Sequence, residues 1–524
     1  MNRTGRRLAF WILFGAFLTG ATWWLLHIPH RPADLLRAIP GQANLVSFHS
    51  GLAGRWDETT SHPVSLMIAG ILGVEAEDWA DLRSAPSTRR LIDLLGRDEL
   101  AIARLPGAGF QRGDIWVLTS WLGGRSQLFG WFNDMFGLSG LESQGRIGHW
   151  PVWTWSARPS SPPVTIALVE GMLIATSARH PQAVEMILNA YDGNFPSIAS
   201  REDLAPWRKR MLESSFPDRI WLKTPARSAS QHWFAEWRMR SGEKLDGAIV
   251  TDATLSLSPL TANFDLAALA EIWRDAPAAS AALGVENLAR PLKEIDHLAA
   301  QLVRDALLGS GAESAALGLF ADPYNGRIAG IRVPTLMIAL QRPGGFDPAT
   351  ILPALLDRWN SRHLLGLVTA TERIGGYDVW RIEGVTDGLY SMLGENEQVA
   401  LTTNGNWLII SSNFAALEKL IRDSVLPGAA ATQPWAERMN ELAARSGLGY
   451  VGMDLERGVD AVKLALTAYS LQLLFVEGDD ATREQRQFIS ELKAWLDTLA
   501  KMNRLHLLAA NENDLLNVEV QAGR

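Results

Sequence analysis

Cysteine is absent from all 524 residues of the chain. Disulfide bonds, thiolate metal sites, cysteine nucleophiles and an N-terminal lipid-modified cysteine are therefore excluded. The metalloprotease HExxH motif, the Walker A loop, the EF-hand loop and the GxSxG nucleophile elbow are also missing from the sequence. We therefore predict no metal site and no cofactor, and no motif assigns a catalytic residue. An enzyme would need a site assembled from residues far apart in the sequence.

An excess of positive charge is also absent. The chain carries 49 Lys and Arg against 57 Asp and Glu, a net charge of −8. Nucleic-acid binding needs a clustered positive field facing the phosphates. The most basic stretch, residues 201–244, mixes its arginines with acidic residues, as solvated helix surfaces do. We therefore predict no nucleic-acid partner.

Uncharged apolar runs are short everywhere except near the N-terminus. The run from Leu8 to Ile28 contains no charged residue, and a helix of that length rises by about 30 Å, enough to span a bilayer. Arg6 and Arg7 precede the run and should remain on the cytoplasmic side. Trp23 and Trp24 lie near its far end, where indoles favour the headgroup region. The pattern predicts a single-pass membrane helix.

A cleaved signal peptide is the competing interpretation of this segment. Cleavage after Ala21 would follow small residues, but the mature chain would then begin with the apolar stretch TWWLL. We therefore expect residues 1–30 to form a cytoplasmic tip and an uncleaved transmembrane anchor. The bulk of the chain is then expected to be periplasmic, held at the inner (cytoplasmic) membrane.

Two short patterns occur twice in the same order and at nearly the same offset. RIGxxxxW appears at 146–153 and 373–380, and PWxxRM appears at 206–211 and 434–439. A pair of apolar strands and a helical pattern follow each RIG motif, which indicates a tandem duplication. The repeat-signature residues, which we expect to be structural, are Arg146, Gly148, Trp153, Pro206, Trp207, Arg210 and Met211 in the first copy and Arg373, Gly375, Trp380, Pro434, Trp435, Arg438 and Met439 in the second.

The duplication sets the predicted domain boundaries and the fold class. The two copies correspond to residues 31–267 and 268–524, each far longer than a solenoid repeat. Tight glycine turns join most strands, and we predict them at Gly171 and at Asn404–Gly405. We therefore predict an α+β fold: an N-terminal transmembrane helix followed by two homologous domains with largely antiparallel sheets and packed helices. PWxxRM should begin a helix in each domain, with proline in the first turn.

The stretches GGYDVW and GNWLIISS, with weaker counterparts GHWPVW and GMLIATS, give the chain a family resemblance. It resembles the uncharacterised bacterial membrane-anchored family catalogued as domain of unknown function 3352. The resemblance implies an N-terminal membrane segment and an extracytoplasmic α+β region that would cover most of residues 31–524. It carries no catalytic residue over to this sequence.

Tryptophan is abundant, with 21 residues. The tryptophans of the repeat signature occur in both copies, and a shared architectural requirement explains this better than a single ligand site. Trp155 lies two positions after Trp153, so both side chains should face the same side of a strand. The apparent counterpart of Trp155 in the second copy is Ile382, which leaves Trp155 as the candidate ligand contact.

The anchor, the duplication and the missing motifs together favour a non-enzymatic function. We expect a membrane-anchored extracytoplasmic binding or scaffold protein of the bacterial envelope, with an envelope protein as its partner. One alternative is a cleft-type binding protein for a hydrophobic or glycan ligand. The other alternative is a divergent envelope hydrolase.

Overall fold

The structure of the chain is a computed structural model, and it contains two compact units. Unit 1 contains Met1–Ser61 and Gly73–Arg238, and unit 2 contains His62–Leu72 and Met239–Arg524. The residues that the structure describes are 11–20, 28–66, 76–106, 114–126, 141–156, 163–177, 181–224, 231–240, 244–252, 258–260, 264, 273, 277–293, 298–320, 326–328, 331–342, 344–363, 366–383, 398–424, 441, 447–472, 489–490, 492–493, 496–497, 500–502, 504–512 and 515–522.

Unit 1 is built on an antiparallel sheet with helices on both faces. Its helices are α1 (Pro32–Arg37), α2 (Leu52–Ser61), α3 (Ala76–Ser84), α4 (Pro86–Leu95), α5 (Pro181–Tyr191) and α6 (Ala205–Glu213). Its strands are β1 (Leu45–Ser50), β2 (Glu99–Leu105), β3 (Ile115–Trp121), β4 (Leu141–Ile147), β5 (Trp150–Trp155), β6 (Val164–Val169), β7 (Met172–Thr176), β8 (Asp218–Thr224) and β9 (Gln231–Arg240). They pair in the order β4-β5-β6-β7-β3-β2-β1-β8-β9.

Unit 2 also carries a large antiparallel sheet. Its helices are α7 (Val285–Leu292), α8 (Leu298–Gly309), α9 (Pro348–His363), α10 (Phe414–Ser424) and α11 (Leu455–Gln472). Its strands are β10 (Lys244–Thr251), β11 (Ala279–Gly284), β12 (Ser314–Phe320), β13 (Gly326–Ile328), β14 (Ile331–Val333), β15 (Thr335–Gln341), β16 (Val368–Ile374), β17 (Tyr377–Glu383), β18 (Ala400–Asn404), β19 (Trp407–Ser411), β20 (Gly449–Asp454), β21 (Arg504–Glu512) and β22 (Leu515–Ala522). The order is β16-β17-β18-β19-β15-β12-β11-β20-β21-β22-β10, and β13 and β14 form a two-stranded sheet.

The strand order of the two units matches over nine strands. The order from β4 to β9 in unit 1 equals the order from β16 to β21 in unit 2, strand for strand. The prediction of an α+β chain with antiparallel sheets is confirmed. The compact units divide after Arg238, whereas the predicted boundary at residue 267 concerns the repeat itself and stays a prediction.

The hairpin turns explain the glycines of the RIG motifs. Gly148 and Gly375 each begin the turn of a two-residue hairpin and have φ angles of +60° and +56°. L-residues with a side chain rarely adopt this left-handed region, so glycine is favoured. The predicted turn at Asn404–Gly405 is wrong by one residue. Asn404 pairs with Trp407 as the last residue of β18, so the turn is Gly405–Asn406, and only its glycine has a positive φ.

Side chains alternate between the two faces of the unit 1 sheet. One face, which we call the buried face, includes Phe48, Val117 and Thr119, all at most 1% exposed. Arg219 also points to this face, donates from Nε to the backbone oxygen of Phe216 at 2.7 Å, and contacts the Phe48 ring. Most side chains of this face from β6 to β8 are buried, which makes it the main core of unit 1.

The opposite face, which we call the half-open face, is covered mainly at one end. There, Leu52 and Trp56 of α2 and Ile92 of α4 pack on Leu100 and Leu118 of the sheet. Farther along the strands, the side chains of this face are half-buried or exposed. The helical layer α2 to α4 therefore leaves part of the sheet accessible.

Residues 8–10 and 21–27 of the predicted anchor run lie outside the described residues. Residues 11–20 are helical, and no helix among the described residues combines the length and apolarity needed to cross a bilayer. Arg6, Arg7, Trp23 and Trp24 lie outside the described part of the chain. The membrane anchor therefore stays a prediction.

Candidate functional site

The described repeat-signature residues divide into buried or half-buried side chains, hairpin glycines and surface positions on strands and helices. Trp153 and Trp207 are each 4% exposed, and Met211, on the same helix as Trp207, is 1% exposed. Trp380 is half-buried and packs against a cluster in unit 2. The exposed or partly exposed positions are Arg146, Gly148, Pro206, Arg210, Arg373 and Gly375. The second PWxxRM, with Pro434, Trp435, Arg438 and Met439, lies outside the described residues.

Trp155, the candidate ligand contact, is 38% exposed, although Trp153 on the same strand and face is buried. The difference arises because Trp153 packs beneath the end of α4 together with Leu95. Trp155 lies two residues beyond that cover. A second large indole, Trp116 on β3, is 42% exposed.

Strand register places the two exposed indoles on the same face of the sheet. Thr165, Thr176 and Val117 lie opposite one another on β6, β7 and β3, and all three belong to the buried face. The residues immediately before Thr165 and Val117, which are Val164 and Trp116, therefore belong to the half-open face. Val164 pairs with Trp155. Three strand spacings of about 4.8 Å separate Trp155 from Trp116, or roughly 14 Å.

The backbone at Trp116 is fixed by its neighbour at the end of β7. Trp116 donates its backbone N–H to Ser177 Oγ at 3.0 Å, and Ser177 donates its own N–H to the Trp116 oxygen at 3.0 Å. The serine hydroxyl therefore accepts a hydrogen bond from the backbone of the neighbouring strand. This arrangement fixes the backbone from which the Trp116 indole extends on the half-open face.

The row that contains these indoles continues across the sheet as an apolar surface. Trp116 pairs with Arg104, Arg104 with Leu45, Leu45 with Leu222, and Leu222 with Trp233. All of these except Trp116 are half-buried. Arg104 is held in place by Asn44, to whose Oδ1 its Nε donates at 3.0 Å. We call the set Trp155, Val164, Trp116, Arg104, Leu45, Leu222 and Trp233 the aromatic row.

Unit 2 has aliphatic residues at the corresponding positions. Leu336 exchanges the same two hydrogen bonds with Ser412 that Trp116 makes with Ser177, and it is 39% exposed. Ile382, the counterpart of Trp155, packs against a buried cluster. The exposed indoles are therefore a property of unit 1 and are not required by the shared strand order.

The aromatic row offers apolar contact area and one guanidinium. Indoles supply large buried areas on binding and a single N–H donor. Among the described residues, no group of three or more His, Asp or Glu side chains could hold a metal ion. Sequence reasoning identified Trp155 but did not separate Trp116 from the other strand tryptophans.

Comparisons with known proteins give no family assignment. No protein-family model matches the chain, and no curated protein matches it. Two crystal forms of TP0453 match at low structural similarity. Form IV has a TM-score of 0.24 and 10% identity, covering 41% of this chain and 79% of that one. Form III has a TM-score of 0.20 and 9% identity, covering 74% and 97%. The resemblance to domain of unknown function 3352 stays a prediction.

Proposed function

We propose that the chain is a single-pass, membrane-anchored extracytoplasmic binding protein of the bacterial envelope. In this proposal the uncharged N-terminal run anchors it in the inner membrane, and the aromatic row of unit 1 docks an envelope protein. The observation that carries the docking step is the joint exposure of Trp116 and Trp155 on one face of one sheet. Large exposed indoles on a rigid strand surface are typical of interface hot spots.

A tandem duplication is the second part of the proposal. It is supported by the matching strand order over nine strands and by the recurrence of the RIG hairpins at equivalent strand pairs. The serine contacts of Trp116 and Leu336 add a third correspondence. In this view unit 2 keeps the architecture, and unit 1 has acquired the exposed indoles.

The composition of the aromatic row favours a protein partner over a glycan. Between and beside the indoles lie Val164, Leu45 and Leu222, whose side chains cannot hydrogen-bond a sugar hydroxyl. An apolar centre with tryptophan and a single arginine is the composition found in the core of protein interfaces. A glycan site would need more convergent polar groups around the rings.

Removal of the exposed indoles should abolish capture of the partner. In the double variant Trp116→Ala with Trp155→Ala, the yield of crosslinked envelope protein should fall at least about tenfold, because hot-spot truncations cost about 2 kcal/mol or more each. The full-length chain would be crosslinked in cells, extracted in detergent, purified and analysed by mass spectrometry.

Leu336→Ala is the matched control, because Leu336 has the same strand position and similar exposure in unit 2. It should leave the yield unchanged. An unchanged yield in the double tryptophan variant would refute docking at this row. If the double variant loses a bound saccharide or lipid while its protein crosslinks are unchanged, the row binds a small ligand and the proposed protein partner is wrong.

The topology of the proposal predicts that the C-terminus lies outside the cytoplasm. A fusion after Arg524 to a reporter enzyme active only in the periplasm should be active, because Arg6 and Arg7 hold the N-terminus inside. Replacing both arginines by glutamate should lower the reporter activity at equal expression. An inactive wild-type fusion, with a cytoplasmic reporter active at the same site, would reverse the assigned orientation.

A further inference from the structure

A polar cluster in unit 1 lies on the half-open face, outside the aromatic row. Ser47 and His49 are two residues apart on β1, and Asp218 begins the neighbouring strand β8. His49 Nδ1 lies 2.9 Å from Asp218 Oδ1, and His49 Nε2 lies 3.1 Å from Ser47 Oγ. Arg55 of α2 donates to both oxygens of the same carboxylate, at 2.7 and 3.1 Å. We call these four residues the serine cluster.

The Asp218 carboxylate of the serine cluster is buried, whereas His49 and Ser47, at the other end of the cluster, are partly accessible. The Asp218 side chain is 1% exposed and that of His49 is 18% exposed, while Ser47 is half-buried. Burial acts to raise the pKa of the Asp218 carboxyl, but the hydrogen bonds and charges of His49 and Arg55 outweigh it and hold that pKa below its usual range. Asp218 is therefore ionised at neutral pH.

An ionised Asp218 determines the roles of the two imidazole nitrogens. The carboxylate can only accept a hydrogen bond, so Nδ1 of a neutral His49 must carry the proton and donate it. Nε2 is then the acceptor and faces the hydroxyl of Ser47. A serine hydroxyl that donates to a histidine oriented by a buried carboxylate is the arrangement that activates serine nucleophiles.

Unit 2 provides an internal comparison for this cluster. In unit 1, His49 pairs with the second residue of β2 and with Asp218, the first residue of β8. In unit 2, Leu283 pairs with the second residue of β12 and with Gly449, the first residue of β20. Leu283 therefore occupies the position of His49. The counterpart of Asp218 is therefore Gly449. A Cβ added at Gly449 would lie 2.5 Å from Leu283 Cδ2, so the leucine occupies the space that a carboxylate would need.

The other two members are also apolar in unit 2. Ser47 lies two residues before His49, and Ala281 lies two residues before Leu283. Arg55 lies six residues after His49, and Ala289 lies six residues after Leu283. Ala289 is 3% exposed, so no polar group replaces Arg55 there. The shared strand order is thus compatible with four apolar residues. Burying ions is unfavourable relative to such packing, so folding alone does not explain the serine cluster.

We propose that Ser47 is the nucleophile of an acyl-transfer site in unit 1, with His49 as its general base. Ser47 Oγ attacks the carbonyl carbon of an ester or amide, and its proton passes to His49 Nε2. The tetrahedral intermediate collapses, the bond to the leaving group breaks, and that group takes the proton from Nε2. Water then attacks the acyl carbon as His49 Nε2 takes its proton, the bond to Ser47 Oγ breaks, the carboxylic acid leaves, and Oγ takes the proton back from Nε2. Asp218 and Arg55 are positioning residues.

The approach to Ser47 indicates an apolar acyl group. Ser47 is flanked across the sheet by Ile102 of β2 and Ile220 of β8, and both are half-buried on the half-open face. Both flanking side chains are aliphatic, so the surface beside Ser47 suits an apolar acyl group. This site is independent of the proposed docking at the aromatic row, and either proposal can fail alone.

A fluorophosphonate probe tests the nucleophile and its base without a known substrate. Ser47 Oγ forms a bond to phosphorus, the P–F bond breaks, fluoride leaves, and the serine proton passes to His49. Mass spectrometry of the full-length protein in detergent should place one probe adduct on Ser47. Ser47→Ala should abolish it, and His49→Leu, which installs the residue of unit 2, should slow it by at least about 100-fold.

Ser280 is the internal control, because it is a half-buried strand serine of unit 2 whose Oγ lies 3.4 Å from the Gly452 oxygen, and it should stay unmodified. Asp218→Asn should slow the Ser47 adduct at least tenfold while the near-UV circular dichroism is unchanged; if that variant unfolds, Arg55→Lys replaces it. Absence of a Ser47 adduct in folded wild type, or an equal rate in His49→Leu, would overturn the proposal.

Discussion

Replacement of Asp218 by alanine is expected to lower the free energy of unfolding of unit 1 by about 3–5 kcal/mol, because it breaks a buried ion pair from one side. The Arg55 guanidinium would lose both carboxylate bonds and would keep only its bond to the Ser50 backbone oxygen at 2.8 Å. His49 would lose the partner of Nδ1. Urea unfolding of the full-length protein, followed together with hydrogen exchange of β1 and β8, measures the loss.

The matched control replaces the whole serine cluster by the residues of unit 2. The variant Ser47→Ala, His49→Leu, Arg55→Ala, Asp218→Gly should recover most of the loss, to within about 1–2 kcal/mol of wild type, because no unpaired charge remains and only strand glycine is unfavourable. If this variant is as unstable as Asp218→Ala, the cluster is a folding requirement. Its comparison with unit 2 would then no longer support a functional role.

Acid should remove the same contribution in the wild-type protein. The pKa of Asp218 is lower in the folded chain than its ordinary value of about 3.9. Its stabilising effect is therefore fully present above about pH 4 and is lost as the pH falls through the folded-state pKa. Asp218→Ala should lack this part of the acid dependence. An identical slope of stability against pH in both proteins would assign the acid sensitivity to other carboxylates.

Local patterns in the sequence were sufficient to predict the hairpins and the class of the fold. The turn predicted at Gly171 joins β6 and β7, and Gly171 has a φ angle of +91°; alternating apolar residues mark the flanking strands. Pro206 lies within the first turn of α6, as predicted for PWxxRM. These features depend on a few neighbouring residues, so one sequence is enough to reveal them.

Long-range strand order was not accessible in the same way. β1 pairs with β8, which lies far along the chain, and neither strand contains a signal for the other. The serine cluster is formed by this pairing together with α2, and no short motif contains all of its members. The sequence does carry one usable signal: Ser-x-His on a strand in the first copy, against Ala281 and Leu283 in the second.

The exposure of residues in the aromatic row was also not predictable from the sequence. Period-two alternation places Trp153 and Trp155 on one face, but it does not tell which of them a helix covers. The end of α4 at Leu95 decides this, because it packs over Trp153 and stops short of Trp155. Exposure at one end of a strand is a property of the helical layer above it. Composition of the strand itself does not encode it.

Substitution of Trp153 and of Trp155 tests where the cover provided by α4 ends. Trp153→Ala should destabilise unit 1 by about 3–5 kcal/mol, because it removes a buried indole from a packed cluster. Trp155→Ala should change stability by less than about 1 kcal/mol, because Trp155 is 38% exposed. Both variants would be compared by urea unfolding of the full-length protein under identical conditions.

The contrast between the two variants matters more than either value. Both change the same residue type on the same strand and face, so differences in intrinsic strand preference cancel. Equal and large losses would mean that Trp155 is also core, and the aromatic row would lose one of its two exposed indoles. A large loss at Trp153 alone leaves Trp155 dispensable for folding, and a defect of that variant in partner capture must then arise from binding.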